Sequence, residues 1–147
     1  MVGKHVILDL YDVEPIKMIN INNDGTSIQE WNILLGKKFK EANVNCLNVN
    51  WHNFNNSGSF TCLYLLAESH LSIHTWPENK FIAIDIFTCG NSNIDILTEF
   101  MIKHFNPGKK ELKILSRGIN KTQIEEISND KKHNIFDLTN MESFLYY

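Results

Sequence analysis

Alternating and helical runs of apolar residues divide this chain into elements before any chemistry is considered. From His5 to Tyr11, Val6, Leu8 and Leu10 fall on one face, the period of two expected of a half-buried strand. Asn22-Asn23-Asp24-Gly25 then breaks the chain, and Ser27 with Glu30 forms a capping-box pattern. Ile28, Trp31, Leu35 and Phe39 follow along one helical side, a stripe suited to core. Val44 to Trp51 alternates imperfectly, Phe60 to Ala67 is nearly all apolar, and Phe81 to Thr88 alternates with Asp85 inside it; these predict three further strands. Ser92 opens a second amphipathic helix through Ile94, Leu97, Met101 and Phe105, Asn106-Pro107-Gly108 ends it, and Glu111 to Leu115 offers a last strand.

The predicted order βαβββαβ suits an α+β fold, a two-layer sandwich of a mostly antiparallel sheet with both helices on one face. A second subunit is the simplest cover for the other face. From Ile119 onward, a charged stretch through Glu125 to Lys132 leads to an end from Phe136 to Tyr147, read as a short helix and docking tail or as a disordered extension.

Length and composition bound the function classes. A chain of 147 residues is one domain by size and buries roughly 70% of its unfolded surface. The formal charge of −3 provides no basic field for nucleic acid and no attraction to a membrane surface. Neither a signal-peptide pattern nor an apolar run of bilayer length is present, so a cytoplasmic location is expected. Cys46, Cys62 and Cys89 are odd in number with no CxxC spacing, so neither a disulfide framework nor a metal site is expected.

The chemistry concentrates in Ala67-Glu68-Ser69-His70-Leu71-Ser72-Ile73-His74-Thr75-Trp76-Pro77-Glu78. A serine hydroxyl becomes a useful nucleophile only with a base, a strained backbone or an oxyanion site beside it. His70 and His74 are the nearest candidates for that base. On spacing alone an exposed polar loop is the better reading. On their own, His74 reads as a satisfied histidine at a strand end, Cys89 as a small buried hydrophobe, Phe54 and Trp76 as core aromatics, and Glu78 as a solvated acid.

The order of the blocks changes that balance. Glu68-Ser69-His70, then Ile73-His74-Thr75-Trp76-Pro77-Glu78, then Asp85-Ile86-Phe87-Thr88-Cys89-Gly90 resembles the signature of the prokaryotic S-adenosylmethionine decarboxylases, small pyruvoyl enzymes. The likeness begins at Gly3-Lys4-His5-Val6, passes through Asp9-Leu10-Tyr11 and Trp51-His52-Asn53-Phe54, and ends near Ser116-Arg117-Gly118. It implies a catalytic domain over residues 1–118, with 119–147 as a C-terminal extension, and a homodimer whose paired sheets form a four-layer αββα sandwich with active sites built from both subunits.

The resemblance also implies a self-made cofactor and no metal. Ser69 attacks the carbonyl of Glu68, the amide becomes an ester, and elimination and hydrolysis leave a pyruvoyl group at residue 69 that forms a Schiff base with the substrate amine. His74 matches the family's processing base and Cys89 its proton donor. Phe54 and Trp76 match positions that sandwich an adenine ring, and Glu78 one that accepts from ribose hydroxyls. Asn55-Asn56-Ser57-Gly58-Ser59-Phe60-Thr61-Cys62 departs from the family, where a proline and a Gly-Val-Ser-Gly run are typical. Counting back from Glu68, Thr61 takes the place of the usual processing serine, with Ser59 a second candidate; His52 is read as structural. S-adenosylmethionine is the expected substrate, its product the aminopropyl donor for spermidine. An L-ornithine or L-arginine decarboxylase of the same family, and an unprocessed ligand-binding or regulatory homologue, are the alternatives.

Overall fold

The computed structural model describes residues 3–18, 26–54, 59–118 and 124–127. Strand β1 (Gly3–Tyr11) leads to helix α1 (Thr26–Glu41), then to β2 (Cys46–Asn53), β3 (Phe60–Leu66), β4 (Ser69–Trp76) and β5 (Phe81–Cys89). Helix α2 (Ile94–Phe105), β6 (Lys109–Arg117) and β7 (Ile124–Ile127) complete the order. The strands form a seven-stranded sheet in the order β2-β3-β4-β5-β1-β6-β7, and every described pairing is antiparallel. The fold is α+β, as expected.

The predicted order βαβββαβ is corrected in two places. The segment read as a site is itself a strand, β4: Leu71, Ile73 and Thr75 are buried, while His70, Ser72, His74 and Trp76 occupy the alternate positions. Its polar residues disguised a period of two, because the face they occupy is not the one packed on the helices. Past Gly118, Ile124–Ile127 pairs with β6, Ile127 opposite Leu112 and Ile124 opposite Leu115, so this part of the predicted helical or disordered tail is a strand. Residues 128–147 lie outside the described residues, as does the predicted break at 22–25.

One face of the sheet holds the core. Val6, Leu8 and Leu10 of β1, Phe60, Cys62, Tyr64 and Leu66 of β3, and Ile82, Ile84 and Ile86 of β5 are buried, in one cluster with the stripes of both helices. All of Ile28, Trp31, Leu35 and Phe39, and of Ile94, Leu97, Met101 and Phe105, are buried. Burying each such side chain contributes about 1.5–3 kcal/mol before entropy is counted. Trp31 joins the two helices, its ring 5.7 Å from Phe100 and 5.6 Å from Phe105.

Local signals set the helix ends with small corrections. Thr26 is the first residue of α1, so Ser27, expected as its cap, already lies inside the helix. For α2 the cap is Asn93 and not Ser92: the Asn93 side chain accepts from the Asp95 N–H at 3.2 Å, whereas the Ser92 hydroxyl donates to the Cys89 carbonyl at 2.9 Å. Asn106, at φ 47°, turns the chain out of α2.

The second face carries the residues of chemical interest. Register places Thr61, Leu63 and Leu65 of β3 beside His74, Ser72 and His70 of β4. Those in turn lie beside Ala83, Asp85 and Phe87 of β5, and His5 and Ile7 of β1 continue the rows. Leu63 and Leu65 are 46% and 52% exposed here, so the apolar character that made β3 look continuous belongs to two faces.

Candidate active site

A two-residue turn at Ala67 and Glu68 joins β3 to β4, closing on the Leu66–Ser69 pair. Asn45 clamps it. Its backbone N–H and its Nδ2 donate to the two oxygens of the Glu68 carboxylate at 2.9 and 3.0 Å, and its carbonyl accepts from the Ala67 N–H at 2.8 Å. No spacing rule points to Asn45, because the contact comes from a turn distant in sequence.

Ser69 starts β4 with φ 149°, a region that non-glycine residues avoid and that stores strain of order 1–3 kcal/mol. The strain lies at the residue whose hydroxyl would attack the preceding carbonyl. That carbonyl is already engaged, since the Cys89 backbone N–H donates to the Glu68 oxygen at 3.1 Å. A donor so placed supports negative charge as a carbonyl becomes tetrahedral. Cys89 is a free thiol of intermediate burial, whereas the free thiol of Cys62 is buried, so the buried-hydrophobe reading fits Cys62 better than Cys89.

Gly3 lets the neighbouring strands approach at this end. A side chain on it would meet the Thr88 carbonyl at 2.6 Å and the Phe87 ring at 2.8 Å. The Ser69 hydroxyl and His70 Nδ1 share a hydrogen bond of 3.2 Å, and the His70 ring lies 5.8 Å from Phe87 and 6.2 Å, edge-on, from His5. His5 Nε2 pairs with Asp85 Oδ1 at 3.2 Å. Desolvation holds the His5 pKa below its ordinary value, with Asp85 opposing the shift.

A second group of residues sits at the far end of β4. His74 Nδ1 and the Thr61 hydroxyl share a hydrogen bond of 2.9 Å. Ser59 donates to Glu78 Oε2 at 3.3 Å, so both processing candidates, Thr61 and Ser59, belong to this end. Trp76 stacks on Phe81 with centroids 5.4 Å apart and lies 6.1 Å from His74. Phe54 is 62% exposed, which removes the core reading for it, and His52 meets it edge-on at 4.9 Å. Residues 55–58 of the divergent loop lie outside the described residues.

The structure therefore brings Glu68, Ser69 and Cys89 together, and separately Phe54, Ser59, Thr61, His74, Trp76 and Glu78. Ser69 and His74 are five residues apart on one extended strand, about 16 Å. One chain does not join the two groups. Among the described residues no cluster of metal-ligating side chains occurs, and no helix is long and apolar enough to cross a membrane.

Comparison with known proteins identifies the family. The S-adenosylmethionine decarboxylase family profile matches residues 4–118. An S-adenosylmethionine decarboxylase proenzyme of Sulfurihydrogenibium sp. (strain YO3AOP1) is 35% identical over 130 residues, covering 88% of this chain and 92% of its own. Another, from Prochlorococcus marinus (strain MIT 9313), is 46% identical over 94 residues, 64% of this chain and 69% of its own. The crystal structure of the adenosylmethionine decarboxylase from Aquifex aeolicus VF5 superposes with a TM-score of 0.67 at 28% identity, covering 90% of this chain and 98% of that one. With the profile spanning every residue of both groups, this chain belongs to the S-adenosylmethionine decarboxylase family.

Proposed function

We propose that this chain is a proenzyme that cleaves itself between Glu68 and Ser69 and then decarboxylates S-adenosylmethionine as a carboxy-lyase. The observation that carries the reading is the Cys89 N–H on the Glu68 carbonyl at 3.1 Å, beside a strained serine. Ser69 Oγ adds to the Glu68 carbonyl carbon, and the oxygen charge that develops meets the Cys89 N–H. As the C–N bond breaks, Glu68 becomes an ester of the Ser69 hydroxyl and the nitrogen becomes a free amine. Loss of the residue 69 Cα proton then breaks Cβ–Oγ, leaving Oγ in the new Glu68 carboxylate. Tautomerisation and one water release ammonia and leave a ketone at residue 69.

A pyruvoyl group at residue 69 supplies the electron sink that decarboxylation requires. The residues present fit that group, because the hydroxyl that generates it and the Cys89 thiol occupy neighbouring ends of β4 and β5. Cys89 returns a proton to the substrate carbon after carbon dioxide leaves. His74 takes the Cα proton of residue 69, and Thr61 holds the His74 ring through its hydroxyl. Phe54 and Trp76 hold the adenine, and Glu78 the ribose hydroxyls.

Those two sets of roles require two chains. About 16 Å separates Ser69 from His74 within a protomer, while a two-fold axis near the middle of β4 sets the Ser69 end of one copy against the His74 end of the other. The exposed Leu63 and Leu65 on the same sheet face supply apolar surface for such a homodimer, a four-layer αββα sandwich. In this reading residues 1–118 carry the chemistry, 119–147 are an extension, and the protein works in the cytoplasm.

Intact mass under denaturing conditions tests the reading. Two fragments divided at Glu68-Ser69, the second with a pyruvoyl end, and carbon dioxide release from S-adenosylmethionine in preference to ornithine or arginine are expected. A Ser69→Ala protein that still releases carbon dioxide would falsify it.

A further inference from the structure

The sequence offers two histidines near Ser69, and the proposed roles use only His74. His70 remains, with its Nδ1 3.2 Å from the Ser69 hydroxyl. Adjacent side chains of a strand ordinarily point to opposite faces, so a hydrogen bond between residues 69 and 70 is an exception. The φ of 149° at Ser69, at the very start of β4, is what departs from regular strand geometry there. On its other sides the His70 ring is held by Phe87 at 5.8 Å and by the edge of His5 at 6.2 Å, and His5 is itself anchored on Asp85 at 3.2 Å. Among the described residues, the polar group that Nδ1 meets is the hydroxyl that must lose a proton for the chain to cleave.

We propose that His70 is the base of the first step of self-cleavage, acting within its own chain, and that His74 serves only the later elimination. With its proton on Nε2, the imidazole takes the Ser69 hydroxyl proton at Nδ1 as Oγ bonds to the Glu68 carbonyl carbon. The same proton passes to the Ser69 nitrogen as the C–N bond breaks, so the step is balanced and His70 ends neutral. His74 does not have the position for this within the protomer, lying about 16 Å along the strand from Ser69, where its Nδ1 meets Thr61. This inference rests on the proenzyme reading.

Hydroxylamine separates the two steps, because it cleaves an accumulated ester but leaves the original amide intact. The full chain with His70→Asn keeps a polar group where Nδ1 stood without a base. It should self-cleave on the order of 10²–10⁴-fold more slowly than wild type, with no hydroxylamine-sensitive species. His74→Ala should stall too, but as a chain that hydroxylamine divides at residue 68. Should His70→Asn lack a cooperative thermal transition, His70→Gln, similar in bulk and equally without a base, gives the reading. Cleavage of the folded variant at the wild-type rate, or accumulation of ester in it, overturns the role of His70. A wild-type chain that never cleaves overturns the proenzyme reading instead.

Discussion

The Cys89 backbone N–H meets the Glu68 carbonyl at 3.1 Å, so the proposed function has Cys89 serve two reactions through two different atoms. In that proposal the amide supports the oxygen charge of self-cleavage, and the thiol is the proton donor of turnover. Cys89→Ala keeps the first and removes the second. It should therefore still divide into two fragments, within about tenfold of the wild-type rate, while carbon dioxide release falls by a factor on the order of 10²–10⁴. Mass spectrometry and a release assay on one preparation check both halves. Loss of cleavage would show that the thiol acts in processing as well.

Asn45 fixes the turn that presents the scissile bond, with its Nδ2 3.0 Å from Glu68 Oε1. Asn45→Ala removes that bond and leaves the backbone N–H contact at 2.9 Å. An exposed hydrogen bond to a charged group contributes about 1 kcal/mol here, below the buried range, so self-cleavage should slow roughly fivefold with little change in melting temperature. A time course of fragment appearance gives the ratio; an unchanged rate would mean that the remaining contacts hold the turn unaided.

His104 packs among Trp31 at 4.9 Å, Phe105 at 5.1 Å and Phe100 at 5.7 Å, and burial lowers its pKa, with Lys17 adding to the shift. A folded-state pKa below the unfolded value of 6.5 means that the unfolded chain binds more protons, so stability falls as pH drops from 6.5 through the lowered value. His5 shifts in the same direction. Urea unfolding between pH 5 and 7 should show this decline, and His104→Gln should flatten part of it. An equally steep decline in the variant would assign the whole effect elsewhere.

Much of this was legible in the chain because each helix has one apolar stripe and one job. Ile28, Trp31, Leu35 and Phe39 form core, and so do Ile94, Leu97, Met101 and Phe105. β4 was missed for the opposite reason. Its alternate positions serve the core through Leu71 and Ile73 and the second face through His70 and His74, and the second set obscured the first. The grouping of Ser69 with Cys89 depends on β5 lying beside β4, and the contact of Asn45 with Glu68 depends on a turn; neither is written in a local period. The Glu-Ser-His and Thr-Cys-Gly blocks carried the chemistry by resemblance, while the separation of Ser69 from His74 became visible only once both lay on one extended strand.

That separation makes a prediction about two dead proteins. On the proposed roles, Ser69→Ala lacks the nucleophile and His74→Ala the second-step base, so neither homodimer should yield a pyruvoyl group. In a mixed dimer, one interface end combines the intact Ser69 of the His74→Ala chain with the intact His74 of the Ser69→Ala chain. The other end lacks both. Co-expression with two distinguishable tags should therefore restore self-cleavage to the His74→Ala chain alone, and activity to at most half that of wild type per dimer. Adding Leu65→Glu to both chains sets like charges on the exposed sheet face and should abolish the rescue together with the dimer, read by sedimentation. If the site were complete within one chain, neither variant could repair the other, and the mixture would stay uncleaved.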